Sequence, residues 1–261
     1  MDIIRKIPTT VLYPDMREVP KETEVVSEHI LDILVNERPV YRLVCSKNHL
    51  KELVVGRLKT DGLIESTDDV DRIFFCKYEN EASVFLNRDI SWQENAVNPE
   101  LSCCTGNRVL SAARKSGLKK LPKYEWRREW VFELAGEFAK GTDLHDRTCG
   151  THACILAMEG KALFTGEDIG RHNAVDKAVG YAMQNGIELG RCMLFTSGRV
   201  PTDMVEKVIA AGVPILVSKA APTAESAKMA ARYGLTLICR ARPDRCEILR
   251  QGDGSFVSEN E

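Results

Sequence analysis

Two cysteines, Cys103 and Cys104, stand side by side in the stretch LSCCTGN, followed at once by Thr105, Gly106 and Asn107. Turn-forming residues of this kind place the thiols on an exposed segment rather than in a core. A disulfide between neighbours is strained, because the Cα spacing across one trans peptide, about 3.8 Å, falls below the disulfide range. What remains is a pair of metal ligands, a redox- or sulfur-handling thiol, or chance. A second set of residues suits anions. The turns Gly166-Glu167-Asp168-Ile169-Gly170-Arg171-His172-Asn173 and Thr196-Ser197-Gly198-Arg199 each put a glycine beside an arginine. Glycine lets backbone approach a ligand closely, and a guanidinium grips phosphate through two hydrogen bonds. Lys219-Ala220-Ala221-Pro222-Thr223 adds a cation and a hydroxyl, and Arg240-Ala241-Arg242-Pro243-Asp244-Arg245 carries three arginines in six residues. Singly, each stretch reads as helix caps and solvated charge; the four together point to a phosphorylated ligand such as a nucleotide.

Metal chemistry finds less support. Cys149-Gly150-Thr151-His152, with Cys154, His145 and Asp146 nearby, offers a C-x-x-H pair but no second pair, and structural zinc needs four ligands. Zinc nucleoside deaminases set H-x-E at one helix start and P-C-x-x-C at the next. Here the first reads His172-Asn173-Ala174 and the second Ser197-Gly198-Arg199-Val200-Pro201, without the glutamate or either cysteine. A deaminase-like scaffold remains open; deaminase chemistry does not. No metal site is expected.

Regular elements must position these residues. Pro8, Pro14 and Pro20 punctuate a polar start, which reads as a loosely held arm. A hairpin is expected around Asn36 to Pro39, then a helix through Leu50, Leu53, Val54 and Leu58 that stops near Gly62, then two strands in DRIFFCKYENEASVFLN. After LSCCTGN comes a lysine-rich connector, Arg114 to Arg128, best read as a solvated face. Val131, Leu134, Ala135 and Phe138 share one face of a helix that Gly141 closes. From Cys149 strands alternate with helices, Pro201 and Pro222 stand just ahead of two helices, and Gly186, Gly212 and Gly234 stand just past three helix ends. That alternation predicts a three-layer α/β sandwich with parallel strand pairs in the second half.

Composition bounds the function. The chain has 261 residues, 44% hydrophobic and 28% charged, with a net charge of −2, so neither a nucleic-acid nor a membrane partner is expected. The charged N-terminus shows no signal-peptide core. Nine cysteines without an export signal argue for free thiols in a cytoplasm. Cys45, Cys76, Cys154, Cys192 and Cys239 fall in apolar runs and read as small core residues.

The segments CGTHACILA, GEDIGRHNAVDKAVG, DMVEKVIAAGVPILVSKAAPT and ARYGLTLICRARPDR resemble, in order and spacing, the FdhD family of formate dehydrogenase accessory sulfurtransferases. VNERPVYRLVCSKNHLKELVVGRLKTDGLI extends the resemblance into the first half. It implies a cytidine-deaminase-like α/β/α domain over 128–261, behind a smaller α+β domain over 1–127 that ends in the cysteine loop and the basic connector. It also implies a sulfur carrier that takes persulfide sulfur from a cysteine desulfurase and passes it to molybdenum bis-guanine dinucleotide for the formate dehydrogenase catalytic subunit. A non-catalytic chaperone for that cofactor is the alternative. Cys103 or Cys104 then matches the carrier, although the second cysteine of the family's C-x-x-C is absent. Arg240, Ala241, Arg242, Pro243, Asp244 and Arg245 match the cofactor-binding stretch, with Arg240 and Asp244 where relatives often have an aromatic and a glycine. Gly170, Arg171, His172, Ser197, Gly198 and Arg199 at the helix starts complete the expected site, where a guanine nucleotide such as GDP also fits. Cys149 stands where many relatives have glycine. A homodimer is expected because relatives pair.

Overall fold

The computed structural model describes residues 2–90, 108–109 and 117–249. The first elements correct one expectation. β1 (Ile4–Leu12) and β2 (Glu18–Val26) form an antiparallel ribbon with register Ile4↔Val26 to Leu12↔Glu18, not a loose arm. A two-stranded pair leaves alternate amides unbonded, so Pro8 and Pro20 fit within it. The Arg147 guanidinium ties its base to the short helix Asp143–Thr148 by donating to both Glu24 carboxylate oxygens at 2.8 and 3.1 Å.

β3 (His29–Val35) and β4 (Arg38–Cys45) make the expected hairpin. Its turn residues Asn36 and Glu37 both have positive φ, 46° and 65°, the twist that matches flanking strands. α1 (Leu50–Thr60), β5 (Val70–Phe75), β6 (Glu81–Leu86) and a short β7 (Arg108–Val109) complete a sheet of order β5-β6-β3-β4-β7. Period-two alternation turns Leu31, Ile33 and Val35 inward, into one core with Leu53, Val54 and Leu58 of α1.

The second half comprises α2 (Arg128–Ala139), α3 (Asp143–Thr148), β8 (His152–Met158), β9 (Lys161–Asp168), α4 (Arg171–Gln184) and β10 (Cys192–Thr196), followed by α5 (Thr202–Ala211), β11 (Ile215–Ser218), α6 (Ala224–Tyr233), β12 (Thr236–Arg242) and β13 (Arg245–Ile248). The sheet runs β13-β12-β11-β10-β8-β9, with β10, β11 and β12 mutually parallel. Ala174, Val175 and Ala178 of α4 and Met204, Val205 and Val208 of α5 share one core with the α6 side of the sheet; Val131, Leu134 and Ala135 of α2 cover Ile155, Phe195 and Val217 on the other. The fold is mixed α/β, with helices on both faces of this sheet. β10 and β11 are buried along their whole length, which is why they read as unbroken apolar runs. The short elements α3, β7 and β13 lay below the length at which periodicity speaks.

The two halves meet where α1 crosses α4. A Cβ at Gly56 would stand 1.8 Å from the Asp176 carbonyl oxygen, and one at Gly180 would stand 1.9 Å from that of Glu52. Only glycine lets these backbones touch. Buried charge flanks the crossing. Lys177 Nζ lies 2.7 Å from Asp168 Oδ2, with both side chains fully buried, and donates to Asn48 Oδ1 at 2.8 Å and the Glu167 carbonyl at 2.9 Å. Asp168 also accepts from the Ser46 amide at 3.1 Å and the Asn173 amide group at 2.8 Å. On the far side Lys207 Nζ donates to both Asp176 oxygens at 2.7 and 2.9 Å, and Thr60 Oγ1 donates to Oδ1 at 2.7 Å. Burial holds the Lys207 ammonium below its usual pKa, against the pull of Asp176.

Candidate functional site

β9 is antiparallel to β8, and β8 to β10, so β9, β10, β11 and β12 all run the same way. Asp168, Thr196, Ser218 and Arg242 therefore end their strands on one edge. In such sheets ligands bind at that edge, because helices start there with unbonded amides. α4 has Gly170 and α5 has Pro201 at the N-cap, and neither supplies a side-chain cap.

The structure brings the two glycine-arginine turns together. The Arg171 side chain lies across Gly198, where an added Cβ would stand 2.8 Å from Arg171 Cβ. His172 is buried, with Nε2 3.1 Å from Asp203 Oδ2 at the start of α5. Burial pushes the Asp203 carboxyl up, but the hydrogen bond and charge of His172 outweigh it and hold the group below its ordinary pKa. His152 Nδ1 lies 3.0 Å from Ser197 Oγ, which also accepts from the Ala153 amide at 3.1 Å. Burial, then the nearby Arg171 charge, lowers the His152 pKa below that of an ordinary imidazole. Ser197 is thus engaged by its own sheet, while Arg199 is exposed. Thr223 forms a capping box with Ser226, so in the third turn the hydroxyl serves the helix.

The arginine stretch spans the end of β12 and the start of β13. Pairing between these strands shifts register between Cys239 and Arg242, and Arg240 takes a left-handed φ of 49°. Arg240 pairs with Glu247. Arg242 Nη1 donates to the carbonyls of Lys219 at 2.7 Å and Ala241 at 2.8 Å. Arg245 makes no ion pair among the described residues. A groove of about 290 Å³ is lined by Arg240, Arg242, Arg245, Cys246 and Glu247. Its last two members escaped the sequence reading. They sit on β13, whose four residues are too few for periodicity to mark. Along the edge β12 lies two strand spacings, about 10 Å, from β10 and the α5 start, and four, about 19 Å, from β9 and the α4 start.

Cys103 and Cys104 lie outside the described residues. In the C-x-x-H stretch Cys149 is an exposed free thiol, while the His152 ring is held against Ser197. Cys149 ends α3 with a φ of 52°, a conformation that favours glycine. His145 Nδ1 lies 2.8 Å from the Thr151 carbonyl, and Cys154 is fully buried in β8. Cys76 departs from the core reading. It follows β5 partly exposed. Burial opposes its ionisation, but the amides of Tyr78, Glu81, Asn80 and Glu79 hold the thiol below its usual pKa.

Comparison with known proteins extends over nearly the whole chain. It is 30% identical over 254 residues to the sulfur carrier protein FdhD of Halalkalibacterium halodurans, covering 95% of this chain and 93% of that one. It is 31% identical over 232 residues to the sulfur carrier protein FdhD of Bacillus pumilus, covering 87% and 88%. A crystal structure from Desulfotalea psychrophila, described as a formate dehydrogenase accessory protein, superposes with a TM-score of 0.77 at 23% identity, over 97% of this chain and 99% of that one. That likeness shows a shared fold. The FdhD/NarQ family model matches residues 26–253, and the chain belongs to the FdhD/NarQ family.

Proposed function

We propose that this protein carries sulfur to the molybdenum cofactor of a formate dehydrogenase. The observation that carries the reading is the match to relatives named sulfur carrier proteins over nearly their full length, in a chain whose paired thiols stand four residues from β7. A thiolate at Cys103 or Cys104 attacks the outer sulfur of a persulfide on a cysteine desulfurase. The sulfur–sulfur bond of the donor breaks, its thiolate leaves, and a persulfide forms on the carrier, so no external oxidant is needed. The cargo is molybdenum bis-guanine dinucleotide. Arg240, Arg242 and Arg245, with Ala241, Pro243 and Asp244 setting the turn, offer its phosphates charge-assisted hydrogen bonds. Gly170, Arg171, Gly198 and Arg199 supply a second station along the same edge, where His172, turned to Asp203, and Ser197, bonded within its own sheet, hold the two turns in place. GDP is the minimal probe for either.

In this reading residues 1–127 and 128–261 are two domains, the second a deaminase-like scaffold without its zinc ligands. The protein works as a homodimer in the cytoplasm, where its thiols stay reduced. A second reading, a cofactor chaperone without sulfur chemistry, is favoured by the missing second cysteine of C-x-x-C. Intact-protein mass spectrometry after incubation with a cysteine desulfurase and cysteine separates the two. One added sulfur, abolished by Cys103→Ser or Cys104→Ser, supports the carrier. No added sulfur on the wild type leaves the chaperone.

A further inference from the structure

One side chain in the arginine groove is not explained by phosphate. Three guanidiniums and a single carboxylate, that of Glu247, line it beside the Cys246 thiol. The packing of β13 puts the acid there. Cys246 and Ile248 lie against the core under α2. Side chains alternate along a strand, so Arg245 and Glu247 turn to the opposite face, where both are exposed. Glu247 stands directly across from Cys239, which brings it beside Arg240, the residue with the left-handed φ of 49°. Arg240 Nη1 donates to Glu247 Oε2, and among the described residues Oε1 takes no hydrogen bond. A carboxylate at this place repels phosphate. It fits a ligand that brings N–H donors as well as negative charge.

We propose that Glu247 is the specificity-determining residue of this groove: its carboxylate accepts the two adjacent N–H groups on the pairing edge of a guanine and so selects guanine over adenine nucleotides. The proposal rests on the reading of the groove as a phosphate site for the cofactor. Arginines grip phosphate whatever base follows it, so the choice among nucleotides falls to a group that meets the base edge. An ionised carboxylate only accepts hydrogen bonds. Guanine offers it N1–H and the N2 amino group side by side, a two-point match to its two oxygens. Adenine and cytosine each set an amino group beside a bare ring nitrogen, and uracil flanks its N–H with two carbonyls. Each of these brings a lone pair against the negative charge. Arg240, by holding Oε2, keeps the carboxylate in the groove while Oε1 stays open. Size agrees: about 290 Å³ lies at the low end of small-molecule sites and takes one guanine end of the cargo, not the whole of it.

The test uses the full chain and its Glu247→Gln and Arg245→Ala variants, with GDP, ADP and inorganic pyrophosphate titrated into each by calorimetry. The wild type should bind GDP about tenfold or more tightly than ADP. Glutamine removes the charge and turns one acceptor into a donor, the pairing that suits adenine. Glu247→Gln should therefore weaken GDP by about tenfold or more and bring ADP level with it or ahead. Pyrophosphate meets only the arginines, so this variant should bind it at least as tightly as the wild type does. A wild type that binds GDP and ADP alike overturns the proposal. So does a Glu247→Gln variant that keeps the wild-type preference, or one that loses pyrophosphate as well, which makes the acid a brace for Arg240 alone. Failure of the groove reading shows separately. GDP binding that survives both substitutions, or a wild type that binds neither nucleotide, removes the groove and the proposal with it. GDP binding lost in Arg245→Ala but kept in Glu247→Gln leaves the groove standing and removes the proposal alone.

Discussion

The α1–α4 crossing and the arginine groove both gather charged side chains, and they treat them in opposite ways. At the crossing Lys177 and Asp168 are fully buried and face each other, and Ser46, Asn48 and Asn173 supply their further hydrogen bonds. At the groove Arg240 keeps 56% of its side chain exposed, and Arg245 is left open. Burial makes the difference. A charge taken from water demands a matched partner and good geometry, so it holds structure together; a charge at a rim keeps its hydration and its freedom to take a ligand. Charge alone in a sequence cannot distinguish the two.

Substitutions break or sharpen this contrast. The largest effect belongs to Gly180→Ala, whose Cβ meets backbone rather than a movable side chain; it should cost about 5 kcal/mol or more and leave little folded protein in a urea titration. Lys177→Met strands Asp168 without its countercharge and should cost about 3–5 kcal/mol by the same measurement. A loss under 1 kcal/mol there would place the pair with ordinary surface contacts. Arg245→Ala should do the reverse, leaving stability within about 0.5 kcal/mol but weakening GDP binding by about 1.5–3 kcal/mol in calorimetry. An unchanged dissociation constant would move the phosphate site to the helix starts.

The smallest effect lies at Asp203, half-buried between the two extremes. Its folded-state pKa is depressed, so the stabilisation is present above the unfolded value of about 3.9 and is lost as pH falls through the folded value. Asp203→Asn should therefore be less stable than wild type at pH 6, by under about 1 kcal/mol after solvent screening, and the two should converge toward pH 3. A gap that persists at pH 3 would assign the loss to packing instead of charge.

Sequence by itself determined the local order of the chain. The 3.6-residue period of Val131, Leu134, Ala135 and Phe138, the positive-φ glycines at Gly212 and Gly234, and the unbroken apolar runs of β10 and β11 each arise from forces that act within a few residues, so each was legible. Arg240–Arg245 was legible for the same reason, as a cluster contiguous in the chain. The ribbon β1–β2 was not, because prolines signal a break only when a strand must pair on both sides. Tertiary structure alone decided which charges close on one another. Ser46 reaches Asp168 across 122 residues, Lys207 reaches Thr60 across 147, and His172 turns inward to Asp203. Such partners share no period and no motif; they are chosen by which surfaces the packed helices bring together, since only burial makes an unpaired charge too costly to keep.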